Sequence, residues 1–148
     1  MARHRIYLVR HAKAEPLATD DHSRRLTPEG RVRFDRLVGA LSPRLEVSKI
    51  LTSPLVRARQ TAEILARATG APLEEDPRLA AGEPDARELL AIARLEPHGT
   101  ALVGHNPELA EAITRVAGKE LEVKPGSIAA IDVAGDKEHL VWLKVPRK

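Results

Sequence analysis

Alternation is what most constrains this chain of 148 residues. Short apolar runs of strand length take turns with segments whose apolar residues recur at helical spacing. Residues 4–9 (HRIYLV) form such a run, end in a polar cluster and read as a buried strand. A charged loop over residues 12–26 follows. Thr27, Pro28 and Glu29 then start a helix, with Thr as cap and Pro at the first helical position. Phe34, Leu37, Val38 and Leu41 give it one apolar face, and Ser42-Pro43 ends it. Residues 49–53 (KILTS) predict a second strand. Ser53-Pro54 opens a second helix carrying Leu55, Ala58, Ala62 and Leu65, closed by Gly70. Residues 72–76 fit a short edge strand, and a third helix carries Ala86, Leu89, Leu90 and Ala93. Residues 100–105 (TALVGH) read as another buried strand. Asn106-Pro107 opens a fourth helix with Leu109, Ala112, Ile113 and Val116 inward and Gly118 near its end. The tail from Ser127 predicts two strands joined by a turn at Gly135-Asp136.

This order predicts an α/β fold in three layers, α/β/α, with a mixed sheet whose first four strands are mostly parallel. One such domain accounts for residues 1–148. In folds of this kind ligands bind beyond the carboxyl ends of the strands. Three polar motifs fall there: Arg10-His11, the stretch from Ser53 to Thr61, and Gly104-His105-Asn106. Arg10 and Arg57 are permanent cations with forked donors suited to phosphate or carboxylate. His11 and His105 can each serve as nucleophile, acid, base or cation. Helix starts at Pro54 and Pro107 add backbone N–H groups and positive dipole ends. Two arginines and a protonated histidine balance a phosphoryl group. A neutral imidazole held firmly among arginines can attack phosphorus and form a phosphohistidine that water then hydrolyses. No carboxylate pair and no metal-ligand spacing is present, so no metal and no cofactor is implied.

Composition excludes several other classes. Basic residues number 24 and acidic residues 21, interspersed without a basic tail, so nucleic acid is not an expected partner. Tyr7, Phe34 and Trp142 are too few for a base-stacking platform. No apolar run is long enough to cross a membrane, and the N-terminal stretch is too interrupted for a signal peptide. A cytoplasmic location is the expectation. Absent cysteine removes thiolate chemistry. A single Asn, a single Gln and abundant Arg and Pro fit a thermophile, as would a GC-rich genome.

Four segments, IYLVRHA (6–12), RRLTPEG (24–30), SPLVRARQT (53–61) and LVGHNPEL (102–109), resemble the ordered motifs of the histidine phosphatase superfamily, with its phosphoglycerate-mutase-like fold. RRLTPEG, VGHNP and the short length are most similar to its SixA-type phosphohistidine phosphatase branch. The resemblance implies that His11 is the phosphorylated nucleophile and that Arg10 and Arg57 clamp the phosphoryl oxygens. It implies that His105 stabilises developing charge and that Arg24 borders the pocket. Gln60 and Thr61 match supporting positions, and Asn106 is placed to cap the fourth helix and orient His105. The implied activity is metal-independent hydrolysis through phosphohistidine on His11. The substrate would be a phosphorylated protein, such as a phosphotransfer domain of a signalling relay. The second reading is a small-molecule phosphomonoesterase acting on sugar or nucleotide phosphates. A binding protein without turnover would lack part of the His11, Arg10, Arg57, His105 set, and a mutase would need longer enclosing insertions.

Two departures matter. The family usually has Gly after the nucleophile, where this chain has Ala12, a poor choice if the position needs positive φ. Many relatives also carry a general-acid glutamate where this chain reads PRLAAGEPD (77–85), with Ala80 and Ala81 in its place and Glu83 as the nearest carboxylate. An alkoxide leaving group, with a conjugate pKa near ~15.7, needs protonation as it departs. Imidazole, with a pKa near ~6.5, leaves readily. The missing acid therefore favours phosphohistidine or another activated phosphoryl donor.

Blander roles stand beside these. Arg24 and Arg25 read equally as pocket wall and as charged loop face. His4, His22, His98 and His139 read as solvated, and Arg59 and Arg67 as the outer side of the second helix. Ser127 reads as a turn serine, ahead of a place at the border of the phosphate site. Glu83 reads as a cap of the third helix before an acid.

Overall fold

The structure, a computed structural model, describes residues 3–16 and 20–147. Its sheet contains β1 (His4–Arg10), β2 (Lys49–Thr52), β3 (Leu73–Glu75), β4 (Thr100–Gly104), β5 (Ile128–Ala134) and β6 (Lys137–Lys144), in the order β3-β2-β4-β1-β5-β6. The pairs β3·β2, β2·β4 and β4·β1 are parallel, while β5 and β6 add an antiparallel hairpin. The expected mixed sheet, with its parallel first four strands and β3 at an edge, is present.

Period-two alternation builds two cores. Ile6 and Leu8 of β1 face one side with Leu102, Ala129 and Ile131, while Tyr7 and Val9 face the other with Val103 and Ala130. Helices α3 (Ala86–Leu95) and α4 (Glu108–Ala117) cover the first side. Helices α1 (Pro28–Leu41) and α2 (Val56–Thr69) cover the second with Phe34, Val38, Ala58, Ala62 and Leu65. Thr27 caps α1 by accepting from Gly30 N, as its sequence signature predicts. Gly70 and Gly118 end α2 and α4 in the left-handed conformation.

Several local expectations need correction. α2 begins at Val56, because Ser53 Oγ accepts from Leu55 N and holds residues 53–55 in a turn. α4 begins at Glu108 with Pro107 as its cap. The 12–26 stretch is not plain loop. Ala14 bridges Leu26, and Asp21–Ser23 form a 3-10 turn capped by Asp20. Residues 17–19 of that stretch lie outside the described residues. Glu83 is not the cap of α3. Asp85 is, in a reciprocal capping box with Glu88.

Candidate active site

The carboxyl ends of β2, β4 and β1 lie side by side, and the three polar motifs meet there. His11 N donates to Gly104 O, and Ser53 N donates to Val103 O, which stitches the three ends together. The hairpin closes the fourth side. Arg10 N donates to Ser127 O, and Gly126 N is shared by Arg10 O (3.1 Å) and His11 O (2.9 Å). Gly126 sits at φ +81°, and a Cβ there would come within 2.8 Å of Pro146, so this backbone bridge needs glycine.

His11 and His105 stack obliquely, with ring centroids 5.2 Å apart. His11 Nδ1 lies 2.7 Å from Ala12 O. A carbonyl only accepts, so Nδ1 carries the proton and the neutral ring keeps its Nε2 lone pair. Burial lowers the His11 pKa to about 4 against the opposing bond to Ala12, and the Arg57, Arg10 and Arg24 guanidiniums push it the same way. Burial, reinforced by His11 and Arg57, takes His105 to about 3. Both rings are therefore neutral in the free protein at pH 7. The positive charge here is carried by arginine. Burial pulls Arg10 below the ordinary arginine value, though far too little to discharge it.

His105 Nε2 lies 2.8 Å from Ser53 Oγ. Ser53 already accepts from Leu55 N, and its hydroxyl proton has no acceptor among the described residues other than this ring. The network thus places the His105 proton on Nδ1, a buried donor with no partner. Arg10 Nε, Arg57 Nε and Ser127 Oγ are likewise buried and unpartnered. Four buried polar groups without protein partners around adjoining strand ends make a cradle suited to an anion.

Supporting bonds fix this geometry. Thr61 Oγ1 accepts from Ala12 N and donates to Arg57 O, tying the His11 loop to the first turn of α2. Gln60 accepts from Leu26 N. Arg10 Nη1 and Asn106 Nδ2 both donate to Val123 O, while Asn106 Oδ1, from the position before the Pro107 cap, accepts from Ala110 N in the first turn of α4. Ser53, rather than Asn106, holds the His105 ring. Ala12 has no positive φ, so a small residue suffices where relatives have Gly.

Arg24 is held by Glu15 O and by Asp21, at the rim of the site. Asp21 itself is a residue that motif reading passes over. Its carbonyl accepts from Arg57 Nη1 at 2.7 Å and its carboxylate meets Arg57 Nη2 at 3.0 Å. The Arg24 and Arg57 guanidiniums hold its carboxyl below the usual range. Glu108, also unanticipated, is buried and accepts from Gly82 N, fixing the 80–83 loop. Glu83 in that loop is exposed. His22, His98, His139, Arg59 and Arg67 are exposed as expected, whereas His4 is half-buried against Ala93 O.

The sequence model of the histidine phosphatase superfamily (branch 1) matches residues 6–88. The chain belongs to that superfamily. A relative from Picosynechococcus, itself uncharacterized, is 36% identical over 140 residues, covering 85% of this chain and 83% of its own. Among solved structures, a candidate phosphohistidine phosphatase SixA from Agrobacterium tumefaciens superposes with a TM-score of 0.83 at 24% identity, covering 97% of this chain and 99% of that one. The protein histidine phosphatase SixA complexed with tungstate also gives 0.83, at 20% identity, over 96% of this chain and 97% of that one. At such identities they share the fold with this histidine phosphatase. Family membership supports a phosphatase activity.

Proposed function

We propose that this chain hydrolyses phosphohistidine on proteins through a covalent phosphohistidine at His11, as one catalytic unit spanning residues 1–148. The observation that carries the reading is the His11 ring: neutral, with Nδ1 tied to Ala12 O, and with Nε2 left as lone pair beside four unpartnered buried donors. Nε2 attacks phosphorus in line as the substrate imidazole leaves. Arg10 and Arg57 take the phosphoryl oxygens, and His105 Nδ1–H and Ser127 Oγ–H supply further donors. A bound dianion raises the pKa of His105, so that ring takes a proton from solvent and holds it against the developing charge, and the proton returns to solvent when phosphate leaves. Water then attacks the His11 phosphoryl group, releasing phosphate. Arg10, Arg57 and His105 are the groups that meet the charge.

The preference for phosphohistidine follows from the leaving group. The 80–83 loop offers Ala80, Ala81 and an exposed Glu83, and the buried Glu108 is engaged by Gly82 N. Imidazole departs without the strong acid that an alkoxide requires. The test compares kcat/KM, with EDTA present, for a histidine-phosphorylated phosphotransfer domain and an alkyl phosphate, with His11→Ala as the blank. The expected result is at least about a hundredfold preference for the phosphohistidine. Preference for the alkyl phosphate would sink the reading and turn attention to Glu83 and Glu108.

No helix among the described residues is long and apolar enough to cross a membrane. A cytoplasmic signalling role fits the proposed substrate.

A further inference from the structure

We propose that a basic groove, running from the His11 loop along α1 to the end of β6, docks an acidic face of the phosphoprotein substrate. The inference rests on the protein-phosphohistidine reading above. The groove begins as a cavity of about 150 Å³ beside the His11 loop, with Lys13, Arg33 and Lys124 around Ala12 and Pro146. Arg33 also lines the adjoining depression of about 460 Å³, whose other cations are Arg36, Arg44, Lys144 and Arg147. The two hollows thus share a wall.

Charge decides what this surface fits. Among the described residues no Asp or Glu lines either hollow. That is notable in a chain of 24 basic and 21 acidic residues whose signs are otherwise mixed. Arg5, Arg24, Arg57, Arg59, Arg78 and Arg94 each meet a carboxylate. Among the described residues, Arg33, Arg36, Arg44, Lys124, Lys144 and Arg147 form no such pair, and Lys13 has only an exposed 3.8 Å contact with Glu29. Like charges left unneutralised along one strip repel each other, and an acidic partner relieves that repulsion and is steered to it.

Shape narrows the partner further. Leu37, Leu41 and Val145 form an apolar floor between cationic rims. Such a floor suits a protein face carrying acidic and apolar side chains together. A polynucleotide finds no stacking platform, since Tyr7 and Phe34 are fully buried and Trp142 lines neither hollow. A protein seated in the groove covers the hollow at Ala12, the residue that follows His11 in the chain.

The test uses two double variants on opposite walls, Arg36→Glu with Arg44→Glu and Lys144→Glu with Arg147→Glu. All four positions are exposed and outside the proposed site. Each variant is assayed on a histidine-phosphorylated phosphotransfer domain of acidic surface and on free phosphohistidine, at low and physiological salt, with melting checked. For the domain, kcat/KM should fall about tenfold or more, mainly through KM, and lose its salt dependence. For free phosphohistidine it should stay within about twofold. Unchanged turnover of the domain overturns the docking proposal, and so does an equal loss on both substrates. If the wild type hydrolyses free phosphohistidine or an alkyl phosphate but not the domain, the protein-substrate reading fails and the docking surface falls with it. Retention of single-stranded RNA by the wild type and its loss in both variants would assign the groove to a polynucleotide instead.

Discussion

The two ends of β1 carry the same kinds of side chain in opposite states. At its start, Asp132 is 8% exposed and holds Arg5 at 2.6 Å and Arg3 at 3.1 Å. His98 Nδ1 accepts from Arg5 N there, and His4 Nε2 pairs with Ala93 O. At its finish the burial is reversed. Arg57 is the sequestered partner, 5% exposed, and Asp21 stands 49% exposed on a 3-10 turn. Around it, Arg10, Arg57, His105 and Ser127 keep buried polar atoms without partners. The difference teaches what an ion pair is for. A buried acid with outer arginines closes a structural joint, because each oxygen of the Asp132 carboxylate meets a guanidinium. A buried arginine under an exposed acid leaves a cation whose partner can swing away and whose remaining donor waits for another anion.

The sharpest way to break this comparison is to exchange a histidine at each end. His11→Ala should lower kcat about 10⁴-fold or more, as loss of a covalent nucleophile does, while His98→Ala stays within about twofold. Retention of a tenth of wild-type turnover by His11→Ala would refute the nucleophile. The arginines come next. Arg57→Ala should cost about 10²–10³ in kcat/KM with little change in melting. Arg5→Ala should leave kcat/KM near wild type and cost about 2–3 kcal/mol, because Asp132 then loses its better partner while buried. Thermal melting beside kinetics separates the two, and a matched loss of activity in Arg5→Ala would erase the distinction.

Titration sharpens it further. His11 binds a proton near ~6.5 when unfolded but only near 4 when folded. The unfolded state therefore holds more protons between those values, so stability falls as pH drops through that window, by about 3 kcal/mol from His11. Denaturant melts at pH 7, 5.5 and 4.5 should show the slope, and His11→Ala should remove the His11 share of it while leaving that of His105, whose pKa burial also lowers. On the same grounds the acid limb of kcat/KM should lie near 4. A limb at the ordinary histidine value would contradict the buried neutral ring. The smallest effect belongs to Asp21→Asn. Removing an exposed charge that competes with substrate for Arg57 should lower KM about threefold with kcat unchanged. A raised KM would make Asp21 an orienting residue instead.

Much of this was legible in the chain because the relevant signals are local. Strand runs end in Arg10-His11 and Gly104-His105, and Thr27-Pro28 announces α1 within a few residues. Arg57, by contrast, meets a carboxylate 36 residues away in a stretch that looks like plain charged loop. Ser53 as the partner of His105 crosses 52 residues, and Glu108 reaches back 26 to Gly82. No periodicity encodes such pairings. Burial was equally hidden: both rings lose their charge because the strand ends are dry, which residue types alone do not reveal. Ala12 looked like a departure with a cost, and its negative φ removes that cost.

Ser127 and Gly126 have a consequence for the timing of activity. They close the fourth side of a pocket whose other groups begin at Arg10, so the anion cradle is assembled from the first strand and from the last hairpin. A nascent chain released before that hairpin would own both histidines and both arginines and still be inert. Premature termination products would thus be unable to strip phosphoryl groups from their targets.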